Sequence, residues 1–246
     1  EKPLLAGLPS SFDRDRNAET LIIHCTDSVL NVNVDLYYTV FEDTDMITRS
    51  VHICNRDEKP IYLTKALSAC LDMDDNDYEM LTLHGSWARE RQMDRRSIGY
   101  GKTSVGSIKG ESSHQEHPFM AWMTKNATQT TGEVYAMHFI YSGNFIAQLE
   151  KSQFDSIRAV MGIHPADFGW KLESGDAFDT PEVVLTYSAD GLGTMTRNFH
   201  DFYRNHLIRS KYRNQKRPIL INNWEATYFD FDTEKLLDIA RTAAKH

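Results

Sequence analysis

The sequence predicts a mainly β protein, built from antiparallel sheets packed face to face, that gives way near residue 190 to helix and then to a strand–loop–helix segment. Three observations carry this reading. Apolar and polar residues alternate over short runs, turn-forming clusters separate the runs at near-even spacing, and the apolar period then changes from two to helical.

The clearest alternation sets Val32, Val34, Leu36, Tyr38 and Val40 against Asn31, Asn33, Asp35, Tyr37 and Thr39, the pattern of a half-buried strand. Thr20 to Cys25 precedes it, with Asp27-Ser28 as turn residues between the two. Further strands are expected over 46–55, 61–71, 78–84, 87–96, 119–124, 133–141, 145–151 and 157–161. Ser142-Gly143-Asn144 and Glu173-Ser174-Gly175-Asp176 punctuate them. From Gly193 to Leu207, Met195, Phe199, Phe202, Tyr203 and His206 recur at helical spacing. A basic connector, Arg209 to Arg217, ends at Pro218. Ile219-Leu220-Ile221 is a continuous apolar run of the kind found in a strand buried on both faces. Asp232 is placed to cap a helix with Leu236, Leu237, Ala240, Ala243 and Ala244 on one side. One strand and one helix cannot bury both their faces, so a truncated β-α unit is expected here.

The bulk numbers bound the function. The chain has 246 residues, 41% hydrophobic and 11% aromatic, enough for a large β domain and part of another. A formal net charge of -8 argues against a nucleic-acid partner, whose phosphates require clustered cations. No run of about 18 apolar residues suggests a membrane span. Glu1-Lys2-Pro3 lacks the apolar core of a secretory signal, and a cytoplasmic location is expected. Cys25, Cys54 and Cys70 read as buried free thiols rather than a disulfide set or a zinc site. Asn126-Ala127-Thr128 spells a glycosylation site in a pattern short enough to arise by chance.

Several constellations invite a chemical reading and have a plainer one. His114 and His117 lack a third metal ligand nearby and read as loop hydrogen-bonding residues. Asp72, Asp74, Asp75 and Asp77 read as solvated turn residues rather than a calcium site. Arg89, Arg91, Arg95 and Arg96 alternate with Glu90 and Asp94 as a self-compensating strand face. Gly191-Leu192-Gly193 lacks the setting of a phosphate loop. No metal and no cofactor is expected. The informative stretch is Asn222-Asn223-Trp224-Glu225 directly after the apolar run. In a barrel of alternating strands and helices, the carboxyl ends of the strands form the active-site face. An indole there offers a flat apolar wall to a sugar ring, and neighbouring amides meet hydroxyl groups. A core Trp beside a capped helix start would look the same.

An ordered set of segments resembles glycoside hydrolase family 36, the bacterial α-galactosidases. The segments are Gly7-Leu8-Pro9-Ser10, Tyr38-Thr39-Val40-Phe41-Glu42-Asp43 and Ile47-Thr48-Arg49-Ser50. They continue through Gly85-Ser86-Trp87-Ala88-Arg89-Glu90-Arg91, Ser112-Ser113-His114-Gln115 and Tyr141-Ser142-Gly143-Asn144-Phe145. Asp167-Phe168-Gly169-Trp170, Pro181-Glu182, Tyr187-Ser188 and the Asn-Asn-Trp-Glu stretch complete the order. The resemblance implies a large antiparallel β-supersandwich over 1–190 with its opening strands missing, a helical linker over 191–217, and the first β-α unit of a (β/α)8 barrel over 218–246. It implies a retaining enzyme that releases terminal α-galactose from melibiose or raffinose, with catalytic carboxylates beyond His246 and none within this chain. The fragment alone is accordingly expected to be inactive. Trp224 matches the barrel-strand Trp that walls the galactose pocket, and Trp87 a β-domain Trp that reaches toward its mouth. The resemblance further implies α-galactoside oligosaccharides as partners and a homo-oligomer, a tetramer. A non-catalytic carbohydrate-binding or interaction module, or a parent with transglycosylase or α-N-acetylgalactosaminidase activity, are the alternatives.

Overall fold

The computed structural model describes residues 2–14 and 16–246; Glu1, where the expected β domain begins, lies outside the described residues. Among the described residues, fifteen strands follow one another before the first helix. They are β1 (Ala18–Asp27), β2 (Val32–Phe41), β3 (Met46–Asn55), β4 (Ile61–Leu63), β5 (Leu67–Asp74), β6 (Tyr78–His84), β7 (Gln92–Ser97) and β8 (Gly101–Ser107). Then come β9 (Glu116–Thr124), β10 (Val134–Phe139), β11 (Phe145–Lys151), β12 (Ser156–Ile163), β13 (Trp170–Leu172), β14 (Ala177–Asp179) and β15 (Val183–Ser188). Helices α1 (Gly191–Phe202), α2 (Trp224–Thr227) and α3 (Thr233–Ala243) close the chain.

Nine of the strands form an antiparallel sheet, ordered β1-β2-β3-β15-β10-β9-β6-β7 with β14 beside β3, three form a second sheet ordered β11-β12-β5, and β4 pairs with β13. This is the expected β-supersandwich. Because side chains alternate across a strand, neighbouring residues of the central strands serve two cores. Met80, Met120, Trp122, Met137 and Phe139 point toward the small sheet and meet Phe145, Leu149, Ile157 and Met161. Trp122 stacks on Tyr135 at 5.6 Å with rings 9° apart, and its Nε1–H reaches Met73 Sδ at 3.0 Å. Leu81, Ala121, Met123, Val134 and Ala136 point the other way and are covered by Met195, Phe199 and Phe202 of α1. Those three recur at one helical face, and the small Ala121 and Ala136 leave room for the helix to lie close. Full burial of each large side chain contributes roughly 1.5–3 kcal/mol.

The start of α1 explains the Gly-Leu-Gly stretch. Asp190 makes no side-chain cap, and Leu192 and Gly193 instead donate their N–H groups to the Thr128 and Gln129 carbonyls, each at 2.9 Å. Gly191 has φ +79, and a Cβ on it would lie 2.5 Å from the Thr128 carbonyl oxygen. The glycines therefore dock the helix onto a loop. The helix ends in a π turn over Tyr203–Leu207, where His206 is buried between the Phe12 carbonyl and the Asp43 carboxylate.

Several expectations need correction. The run 61–71 divides into β4 and β5, which belong to different sheets, because the chain bends between Leu63 and Leu67. The run 87–96 opens with a turn, and only Gln92–Ser97 is strand. Gly101–Ser107 is a strand that alternation did not mark, since its glycines and polar residues conceal the pattern. Ile219-Leu220-Ile221 is not a strand; a strand exists through its pairing, and among the described residues none pairs with it. Cys54 is buried as expected, but Cys25 and Cys70 are exposed, and all three are free. The chain forms two compact units: one runs over Glu1–Ile208 and takes in α1, and a second holds Arg209–His246.

Candidate functional site

The Asn-Asn-Trp-Glu segment forms a compact corner built by its own side chains. Asn222 Oδ1 accepts the Trp224 N–H at 2.9 Å and starts the single turn of α2. Asn223 Nδ2 donates to Thr227 Oγ1 at 2.8 Å, and that hydroxyl donates back to the Asn223 carbonyl at 3.0 Å. Tyr228 then takes φ +48, which stops the helix, and its N–H bonds the Trp224 carbonyl at 2.7 Å. The reversal folds Tyr228 and Phe229 edge-on to the Trp224 indole, at 5.4 and 4.9 Å between ring centroids. Edge-to-face contacts of this kind fix the orientation of an aromatic ring. Trp224 itself stays 43% exposed, so the corner presents a braced, partly exposed indole with the Asn222 and Glu225 side chains exposed beside it.

The first aspartate after the corner, Asp230, is committed elsewhere. Lys235 Nζ bonds both Asp230 Oδ2 and the Asp230 carbonyl at 2.8 Å, and that lysine holds the Asp230 carboxyl below its ordinary range. A general acid needs the opposite shift. As expected, Asp232 caps α3, accepting the Lys235 N–H at 2.9 Å.

Trp87 occupies the turn between β6 and β7. Ser86 and Arg89 exchange backbone hydrogen bonds at 3.3 and 2.9 Å, and Glu90 Oε1 takes the Ala88 N–H at 3.0 Å. Ala88 and Arg91 have left-handed backbones, φ +59 and +57, which tighten the loop. A Cβ on Gly85 would fall 2.6 Å from the Arg89 carbonyl oxygen, so only glycine closes it. The result holds Trp87 at 82% exposure on a defined turn. Trp87 belongs to the first unit and Trp224 to the second, and each site is described by itself.

The other sequence candidates resolve into structural roles. Asp72 makes a two-pronged bond with Arg158 at 2.7 and 2.8 Å, Asp75 pairs with Lys151, and Asp77 with Lys125. Asp72 and Asp74 thus sit on a strand rather than in a turn, and among the described residues no group of three or more His, Cys, Asp or Glu is placed to hold a metal. Of the basic stretch, Arg95 bonds Glu79 across the strand pair and Arg96 pairs with Asp94, while Arg89 and Arg91 lie outside β7. His117 is on β9 rather than in a loop, and its buried Nδ1 has no hydrogen-bond partner among the described residues.

A histidine pair escaped the sequence reading. His117 and His138 lie 6.1 Å apart between ring centroids, beside a cavity of about 360 Å³ that Phe119, Phe199 and Tyr203 also line. The Tyr203 hydroxyl and His138 Nδ1 share a hydrogen bond. Burial pushes His138 down to about 4, lowers His117 as well, and drives Tyr203 far upward. No local signal announces such a pair, because β9, β10 and the turn after α1 meet only in the fold.

The β-supersandwich and the tryptophan corner that follows it in the sequence both fall within segments that comparison with known proteins identifies. The model of the glycosyl hydrolase family 36 N-terminal domain matches residues 1–173, and the melibiase model matches 177–246. The chain belongs to glycoside hydrolase family 36. It is 47% identical over 245 residues to the α-galactosidase AgaA of Geobacillus stearothermophilus, and 42% identical over 245 residues to Mel36A of Lactobacillus acidophilus. In each case the match covers 99% of this chain and 34% of the relative, so the chain spans about a third of those proteins' length. The crystal structure of a variant of the Geobacillus enzyme in complex with stachyose superposes with a TM-score of 0.95 at 46% identity, covering 99% of this chain and 34% of that one. The galactosidase domain of the α-galactosidase–sucrose kinase AgaSK gives 0.95 at 42%, with the same coverage.

Proposed function

We propose that residues 1–246 are part of a retaining α-galactosidase that releases terminal non-reducing α-galactose from oligosaccharides such as melibiose and raffinose. The observation that carries this reading is identity of 47% along 99% of the chain to an α-galactosidase. Complexes of that relative with raffinose and stachyose support the substrate class. On this reading 1–190 is the β-supersandwich domain, 191–217 the linker and 218–246 the first β-α unit of the catalytic barrel. Trp224 walls the galactose subsite with its exposed indole face, and Trp87 touches the longer end of the substrate.

Retaining hydrolysis requires two carboxyl groups roughly 5–5.5 Å apart, one to attack the anomeric carbon and one to protonate the leaving oxygen and then activate water. Both are assigned beyond His246. Asp230 does not fit the proton donor's role, because Lys235 holds it in the charged form. The same reading makes the parent a cytoplasmic homotetramer.

The test is an aryl α-galactoside assay on the whole protein beside the purified 1–246 chain. Turnover by the whole protein and none by 1–246 is expected. Turnover by 1–246 that survives removal of host enzyme would overturn the assignment of the carboxylates. A whole protein inactive on every α-galactoside would overturn the enzyme.

A further inference from the structure

Segments far apart in the sequence meet in the first unit and enclose a groove of about 440 Å³. Two of them are Tyr141-Ser142-Gly143-Asn144-Phe145 and Asp167-Phe168-Gly169-Trp170, neither of which belongs to the tryptophan corner or to the Trp87 turn. Asn144 comes from the connection between β10 and β11, His164 and Asp167 from the one between β12 and β13, and Phe178 and Asp179 from β14. Connections held by a rigid sheet are where binding residues concentrate, and the volume lies in the range of small-molecule sites.

One wall is aromatic. Trp170 opens β13, pairs with Leu63 of β4 and stays 50% exposed. Phe178 packs on it at 5.4 Å between ring centroids, and Phe168 meets Phe178 edge-on at 6.0 Å, so the indole is held in place. The polar lining supplies donors and acceptors together. Asn144 Oδ1 accepts the Gly110 N–H at 2.6 Å, which leaves the Asn144 amide nitrogen to donate. His164 Nδ1 accepts the Ala166 N–H at 3.0 Å, which puts the ring proton on Nε2 as a second donor. Asp179 Oδ1 takes the His52 Nδ1–H at 2.7 Å and keeps Oδ2 as an acceptor. Asp167 is exposed, has a left-handed backbone at φ +57, and its carboxylate makes no hydrogen bond or ion pair among the described residues.

We propose that this groove binds a neutral sugar, with the Trp170 indole against the apolar face of a hexosyl ring and the ring's hydroxyl groups shared among Asn144, His164, Asp167 and Asp179. Charge selects the class. The lining holds two carboxylates and no lysine or arginine, which disfavours a phosphorylated, sulfated or uronic sugar. An ammonium ligand would suit the aromatic wall and the carboxylates but would leave the Asn144 and His164 donors unmatched. A hydroxyl both donates and accepts, so a polyol answers both sets. The inference rests on the reading of the protein as an enzyme of neutral oligosaccharides for its choice among sugars, and adds a site within the β unit itself.

The test uses the whole enzyme carrying fluorinated tryptophan, with the Trp170 fluorine resonance assigned by its loss in Trp170→Ala. Galactose and sucrose are the probes, since together they present the three hexosyl units of raffinose. The Trp170 signal is expected to shift saturably with at least one of them and not with choline. Asp167→Gly keeps the left-handed backbone without strain, and it should weaken that binding roughly tenfold, the worth of one hydrogen bond to a charged group. A Trp170 signal that ignores both sugars in an active enzyme overturns the site and leaves the enzyme reading intact. A response to choline alone overturns it as well, and the unsubstituted enzyme decides both outcomes without any variant. A sugar response that Asp167→Gly leaves unchanged arises elsewhere and also overturns the site. A whole protein inactive on α-galactosides whose Trp170 signal still answers to sugar overturns the enzyme reading and leaves the site standing.

Discussion

Helices α1 and α3 have nearly the same design and opposite fates. Each carries apolar residues on one face, Met195, Phe199 and Phe202 in α1 and Leu236, Leu237 and Ala240 in α3. In the first unit α1 buries Met195, Phe199 and Phe202 against Ala121, Met123 and Ala136 of the large sheet. In the second unit α3 buries nothing, and Leu236 and Leu237 remain 37% and 40% exposed. An amphipathic pattern therefore specifies a helix and the face it will bury; the stabilisation arrives only with a partner surface.

The largest expected effect sharpens that contrast. Phe202→Ala, at a fully buried position, should destabilise the first unit by about 3–5 kcal/mol, measured by denaturant unfolding. Leu237→Ala in the 1–246 chain should stay within about 0.5 kcal/mol, as for an exposed site. In the whole enzyme the same substitution should cost about 2–5 kcal/mol, if the barrel covers α3. Equal effects of Leu237→Ala in both settings would remove the missing partner.

Next comes acid. The His117–His138 pair sits between the sheet and α1, and both imidazoles are held below the ordinary histidine value, His138 at about 4. The unfolded chain binds these protons first, near pH 6.5, so stability is full above that value and is lost as pH falls toward 4. For His138 the loss reaches about 3 kcal/mol, somewhat less because the residue is partly exposed. His138→Leu combined with Tyr203→Phe should flatten the profile between pH 7 and 4, and a slope that survives would place its origin elsewhere.

A smaller effect is expected at the tryptophan corner. Trp224→Ala in the whole enzyme should lower kcat/KM for α-galactosides about 10- to 200-fold, or about 1–3 kcal/mol. Unchanged kinetics would take the indole out of the pocket. Trp87→Ala should change stability least, since 82% of the residue is already in water. Its effect should fall on raffinose more than on a small aryl α-galactoside, and equal losses on both would speak against a place at the pocket mouth.

Most of the β domain was legible because alternation is a local signal. Met46–Asn55, Tyr78–His84 and Phe145–Lys151 formed over their expected bounds, and the Asp232 cap appeared as its spacing required. Sheet membership was not legible. The run 61–71 reads as one strand, yet β4 and β5 part because each finds a different partner, β13 and β12. Trp87 was visible as a residue but not as the exposed tip of a turn, which depends on the close approach of Gly85 to the Arg89 carbonyl.

By itself the sequence determined what each segment's own atoms can decide. That covers the period of the strands, the amphipathic faces of α1 and α3, the Asp232 cap, and the ordered segments that resemble the family. Only the tertiary structure decided which strands pair, that Cys25 and Cys70 face water, that α1 joins the β unit, and that His117 meets His138. Those outcomes rest on contacts between residues far apart in the chain. A side chain's own chemistry constrains its immediate neighbours, and burial and charge answer to whatever the fold brings against it.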